Sequence, residues 1–155
     1  CKDIRGNVPT RLKKLDDGEY DGIILARAGL DRLDMIDIDK YNYEFFETLD
    51  FVPAPCQGII AVENRADDEY IRDVLKAINH METYVCFVAE RAFLKAMDSG
   101  CQTPLGAISE IGENNLKMEC FYYKDRIVKM SIEGENPVLT AAVLAKKLKE
   151  VTNEG

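Results

Sequence analysis

Five cysteines, at positions 1, 56, 86, 101 and 120, are the candidate nucleophiles of this 155-residue chain, and their settings differ. Cys101 lies in Ser99-Gly100-Cys101-Gln102-Thr103-Pro104-Leu105-Gly106, a tight loop between a helix end and a strand. A loop thiol bounded by Gly and Pro can meet an electrophile, with its thiolate as the attacking species. No histidine stands near it as an activating base, so an ordinary buried loop cysteine is the competing reading. Cys86 falls within an apolar helix face and Cys120 within an apolar strand, which predicts core packing for both. The expectation is therefore a Cys101 sulfur open to a cleft and two enclosed thiols.

Three arginines form a second group. Arg5 and Arg11 flank Gly6 and Asn7 at the start of a helix, where free backbone N–H groups already favour anions. Arg32 follows the next strand, on the side of an α/β layer where ligands gather. Together they suit a carboxylate-bearing ligand. The competing reading is three solvated arginines paired with the chain's many acids. His80, in Asn79-His80-Met81-Glu82, reads as a connector between helices. One histidine at these spacings completes no usual Cys/His zinc site, and no metal is expected. Asp67-Asp68-Glu69 reads as a helix start, not a pair of catalytic acids.

Lys and Arg total 20 against 28 Asp and Glu, a formal charge of −8 that disfavours nucleic acid and anionic membranes as partners. A local arginine cluster can still hold a small carboxylate. With 46% hydrophobic residues the chain can build a real core without disulfides. The odd cysteine count lacks any CxxC pair, so a reduced, cytoplasmic protein is expected. No apolar run is long enough to span a bilayer. The opening Cys1-Lys2-Asp3-Ile4-Arg5 has neither a start Met nor an apolar leader.

The elements that must position these residues can be read from periodicity. Lys2 to Arg5 reads as short and extended. Asn7 caps a helix with Pro9 in its first turn and Leu12 and Leu15 on its apolar stripe, ending near Gly18. Asp21 to Ala26 reads as a strand buried on both faces, followed by a helical turn at 30–33. Residues 34–58 are an irregular aromatic connection closed by Pro53-Ala54-Pro55, and Ile59 to Val62 is another short strand candidate. Asp67 or Asp68 caps a helix to about Ile78, and a second helix runs from Thr83 to Met97. Strands follow at 106–111, 116–123 and 126–133, the last two joined by a turn at Lys124-Asp125. Pro137 starts a final helix with Val138, Ala141, Ala142, Ala145 and Leu148 on one side. Segregated helices and a small antiparallel sheet argue an α+β unit at this end.

Several ordered segments resemble porphobilinogen deaminase, the hydroxymethylbilane synthase family. They are Ile4-Arg5-Gly6-Asn7-Val8, Thr10-Arg11-Leu12, Lys14-Leu15-Asp16, Gly18-Glu19-Tyr20-Asp21, Ile23-Ile24-Leu25-Ala26, Ala28-Gly29-Leu30 and Arg32-Leu33. Pro53-Ala54-Pro55, Gln57-Gly58, Ala89-Glu90-Arg91-Ala92 and Gly100-Cys101-Gln102 with Pro104 and Gly106 continue the match in order. The resemblance implies an α/β partial domain, the later half of a periplasmic-binding-protein-like layer, followed by a small α+β domain with a three-stranded antiparallel sheet and helices. It implies that residues 1–52 are the later part of a second domain, 59–76 a return segment of the first, and 80–155 a cofactor-carrying third domain.

The resemblance further implies a transferase of tetrapyrrole (haem) biosynthesis. In that family four porphobilinogen units are deaminated and joined head to tail on a dipyrromethane cofactor held by a thioether. Carried over, the thioether sulfur is Cys101, while Arg5, Arg11 and Arg32 bind the cofactor and substrate carboxylates. The implied ligands are porphobilinogen and its oligomers. The implied partner is the family's N-terminal half or a second copy of this chain. No catalytic residue is assigned here, because the family's general acid/base aspartate belongs to the half this chain does not match. The fragment alone is therefore expected to be inactive. Cys56 stands where the family's Pro-x-x-Gly-Gln-Gly turn has glycine. Arg27 replaces a small apolar residue and can contact a ligand or pair with Asp31. The alternatives are a non-catalytic ligand-binding or regulatory half-protein that keeps the fold, and a cysteine acyltransferase, which would lack a base for Cys101.

Overall fold

The computed structural model describes residues 1–48, 50–98, 104–123 and 125–153, which divide into two compact units, 1–45 and 46–155. In the first unit, helix α1 covers Val8–Asp16 and helix α2 Arg27–Arg32. Asn7 caps α1 as its type and place predict: its Oδ1 accepts the Thr10 N–H at 3.0 Å. Leu12 and Leu30 are the buried side chains of these helices. The segment after α2 is tied back to α1 through Asp16, which accepts from Lys40 Nζ at 2.7 Å and Tyr41 Oη at 2.8 Å. Those two bonds hold the Asp16 carboxyl below the usual carboxylate range.

The strands expected at 2–5, 21–26 and 59–62 do not form among the described residues. The physical reason is the lack of a partner: a strand satisfies its N–H and C=O groups only across a ladder. Ile24, Ile60 and Val62 are instead exposed, at 64%, 78% and 58%. Their apolar character is intact, but the described residues leave most of it uncovered.

The second unit contains helix α3 (Glu69–Lys76), helix α4 (Met81–Met97), strands β1 (Leu105–Ile111), β2 (Leu116–Tyr123) and β3 (Ile127–Gly134), and helix α5 (Pro137–Asn153). Asp68 caps α3 through the Ile71 N–H, and His80 caps α4 through the Thr83 N–H. The strands form an antiparallel meander in the order β1-β2-β3. Ala107 pairs with Cys120 and Cys120 with Met130; the next inward row is Ser109, Met118 and Ile132. Alternation therefore turns one face inward, where α4 lies over β1 and α5 over β3. Phe93, Leu116, Met118, Leu144 and Leu148 are the large side chains sealed between the layers. This is the expected α+β unit.

The connection at 50–58 belongs to this same unit. Lys129 Nζ donates to the Asp50 carbonyl at 3.3 Å, and the Ala107 N–H donates to the Pro53 carbonyl at 2.9 Å. Gly106 sits directly under the crossing: an added Cβ would lie 2.7 Å from the Val52 oxygen and 2.8 Å from that of Pro53. Gly106 and Lys129 both pair with Phe121 in one cross-strand row. Residues 50–53 thus cross the outer side of the sheet from β3 to β1.

Candidate functional site

The Arg5-Gly6-Asn7 loop is held by side chains of the helix it opens. Gly6 has φ +121°, and an added Cβ would lie 2.7 Å from Thr10 Cγ2, so only glycine fits there. Arg11 folds back and donates from Nε to the Gly6 carbonyl at 2.7 Å, while Lys14 Nζ reaches the Arg5 carbonyl at 3.3 Å. The Val8 side chain meets the Gly29 backbone, with 3.4 Å from Cγ2 to the place a Cβ would occupy. That contact seats the beginning of α1 against α2, which carries Arg32 in its last turn.

The structure places Arg5 and Arg11 around the start of α1 and Arg32 in the last turn of α2. Among the described residues none of these three guanidiniums is in an ion pair. Neither helix has an acidic residue in its first turn. Guanidiniums without an ion-pair partner among the described residues suit carboxylates in both charge and fork geometry. Arg27 is not one of them. Its Nε lies 3.4 Å from Asp31 Oδ2, and its guanidinium sits 4.7 Å from the Phe45 ring centroid. Replacing Asn7 with alanine is expected to cost α1 roughly 1 kcal/mol. Faster amide exchange over residues 8–16 is the measurement that checks it.

Cys101 lies outside the described residues. Of the other thiols, Cys120 is buried as expected, and burial pushes it up to about 11. Cys86 departs from expectation: it is half-buried and lines a cavity of about 400 Å³. Burial raises its pKa as well, partly offset by a hydrogen bond with Ser109. Iodoacetamide at pH 8 is expected to leave buried Cys120 unlabelled in the folded protein and to label Cys86 slowly. Peptide mass mapping after a timed quench reads this out; rapid labelling of Cys120 would contradict the buried placement.

One residue that matters was missed as an individual. Glu90 is buried on α4, and its Oε1 accepts from the Ser109 N–H at 2.9 Å and the Ser109 hydroxyl at 2.8 Å. Its Oε2 accepts from the Cys56 N–H at 2.5 Å. A signal was present: Glu90 shares the helical period of Cys86, Phe93 and Met97, and a charge at a core position requires partners. Cys56 has φ +64°, a left-handed backbone that favours glycine.

No helix among the described residues is long and apolar enough to cross a membrane, and no group of His, Cys, Asp or Glu among them could hold a metal ion. Comparison with known proteins matches residues 1–73 to the family described as "Porphobilinogen deaminase, dipyromethane cofactor binding domain". Residues 84–152 match "Porphobilinogen deaminase, C-terminal domain". The porphobilinogen deaminase of Carboxydothermus hydrogenoformans is 47% identical over 119 residues, covering 75% of this chain and 36% of that protein. That of Clostridium perfringens (strain SM101 / Type A) is 41% identical over 148 residues, covering 94% of this chain and 50% of that protein. The probable porphobilinogen deaminase of Methanocaldococcus jannaschii is 46% identical over 112 residues, covering 72% and 37% respectively. The chain spans half or less of the length of these relatives and corresponds to their C-terminal part. With both family domains matched in order along it, the chain belongs to the porphobilinogen deaminase family of transferases.

Proposed function

We propose that this chain is the C-terminal portion of a hydroxymethylbilane synthase, joining four porphobilinogen units head to tail with release of ammonia. The observation that carries the reading is that, among the described residues, the guanidiniums of Arg5, Arg11 and Arg32 form no ion pair, in the segment matched to the cofactor-binding domain. Porphobilinogen and a dipyrromethane both present acetate and propionate groups, and forked guanidiniums with backbone N–H groups are the donors such groups need. Cys101 is the residue for the thioether. Its soft thiolate sulfur can bond an electrophilic methylene carbon, and that bond withstands the C–C bond formation that follows. The bound dipyrromethane supplies the primer on which the growing chain is built.

In this reading residues 1–52 are the later part of domain 2, within a periplasmic-binding-protein-like layer. Residues 59–76 return into domain 1, and 80–155 carry the cofactor. The exposed Ile60, Val62, Tyr70 and Val74 support the middle assignment, since α3 has no buried residue of its own. The partner that would cover them is the N-terminal half of the enzyme or a second copy, in the cytoplasm. The chain supplies carboxylate binding and a primer thiol, but no acid here matches the family's proton donor for deamination.

The purified chain incubated with porphobilinogen is expected to form no bilane. Addition of an N-terminal half from a relative is expected to restore turnover. Bilane formation by the chain alone, at a rate like that of a full-length enzyme, would place the proton donor among these residues. Failure of the reconstituted pair, with both parts folded and associated, would leave the chain a binding module.

A further inference from the structure

The geometry points to Glu90 as a latch that fastens residues 52–58, as a separately opening strap, to the edge of β1. This inference is independent of the activity proposed above. β1 is an edge strand of the sheet, so the N–H groups on its outer side need acceptors from outside the ladder. The Ala107 N–H finds one in the Pro53 carbonyl. The next on that side, Ser109, finds one in Glu90 Oε1. The other oxygen of the same carboxylate takes the Cys56 N–H, so one side chain bridges the strand edge and the strap. Both oxygens of the carboxylate are engaged with N–H donors, an arrangement of charge-assisted bonds stronger than neutral ones.

The rest of the strap is partly open to solvent. Ala54, Gln57 and Gly58 are exposed, and the cavity of about 400 Å³ lies between the strap, α4 and β1. Cys56 at φ +64° carries a left-handed backbone that opposes the closed form, because a Cβ is disfavoured there. Strain at Cys56 and the carboxylate bond to its own N–H thus act in opposite directions at one residue. An element held this way opens locally, without unfolding the sealed core.

Amide hydrogen exchange on the full chain tests this with two variants. In Glu90→Gln, one oxygen remains for Ser109, but the new NH2 meets the Cys56 N–H donor to donor. Exchange at Cys56 and Ala107 is expected to rise about tenfold or more, or about 1.4 kcal/mol in opening free energy, with Met118, Cys120 and Met130 unchanged. In Cys56→Gly the strain is relieved, and the amides of residue 56 and Ala107 are expected to slow while the core amides again hold. Unchanged exchange at Ala107 in Glu90→Gln overturns the latch. A uniform acceleration that includes Met118 and Cys120 overturns it too, by making Glu90 a part of the core. If Glu90→Gln does not fold, Cys56→Gly decides: selective slowing supports the strap, and uniform slowing or none overturns it.

Discussion

A Cys101→Ser variant, combined with the N-terminal half of a relative and supplied with porphobilinogen, is expected to stay at its unmodified mass and make no bilane. The wild-type chain under the same treatment is expected to gain the mass of a dipyrromethane. The size of the effect follows from sulfur chemistry. A cysteine has a thiolate fraction of a few per cent at neutral pH and that thiolate is strongly nucleophilic, whereas a serine hydroxyl without an adjacent base is neither ionised nor a good nucleophile. Loss should therefore be complete, not graded. Intact-protein mass spectrometry reads the attachment directly, separately from turnover. An adduct that persists in the serine variant would move the attachment to another thiol, with exposed Cys1 and half-buried Cys56 the remaining candidates.

Phe93→Ala is expected to give the largest loss of stability in the chain. Phe93 is completely buried, on the side of α4 that faces the sheet and α5. Removing its ring takes away apolar burial and leaves a cavity among Met118, Leu144 and other close-packed side chains, a change that costs about 3–5 kcal/mol. A domain of this size has only about 5–15 kcal/mol in total, so the urea midpoint should fall steeply. Circular dichroism during urea titration measures it. A loss under about 1 kcal/mol would mean that the core relaxes into the space or that Phe93 is not sealed.

Most of the second unit could be read from the sequence because its signals are local and agree with one another. Asp68 and Pro137 mark helix starts, and alternation along 116–123 defines an inward and an outward face. The three helices and three strands therefore emerged close to their observed limits. The strands expected at 21–26 and 59–62 rested on apolar character alone, and apolar character says that a segment needs cover without saying whether the cover is in the same chain. In the first unit, the Asn7 cap could be read because its side chain and the Thr10 N–H it accepts from fall within one helical turn. Glu90 could not be assigned its role, since its partners Cys56 and Ser109 are 34 and 19 residues away. Whether Arg5, Arg11 and Arg32 are paired was equally out of reach, because ion pairs between distant residues leave no periodic trace.

The crossing of residues 50–56 also bears on contacts between sheet edges of different molecules. A three-stranded meander has two edges, and an open edge invites the edge of another molecule to add on. On the β1 side, the Pro53 carbonyl and the Glu90 carboxylate occupy the Ala107 and Ser109 N–H groups that such an intruder would seek. The β3 edge carries Lys129 and Glu133 on its exposed positions, where charge discourages stacking of like sheets. The short segment entering the second unit thus doubles as a guard rail along the sheet, and a polypeptide trimmed past residue 58 would lose it and gain a reason to aggregate.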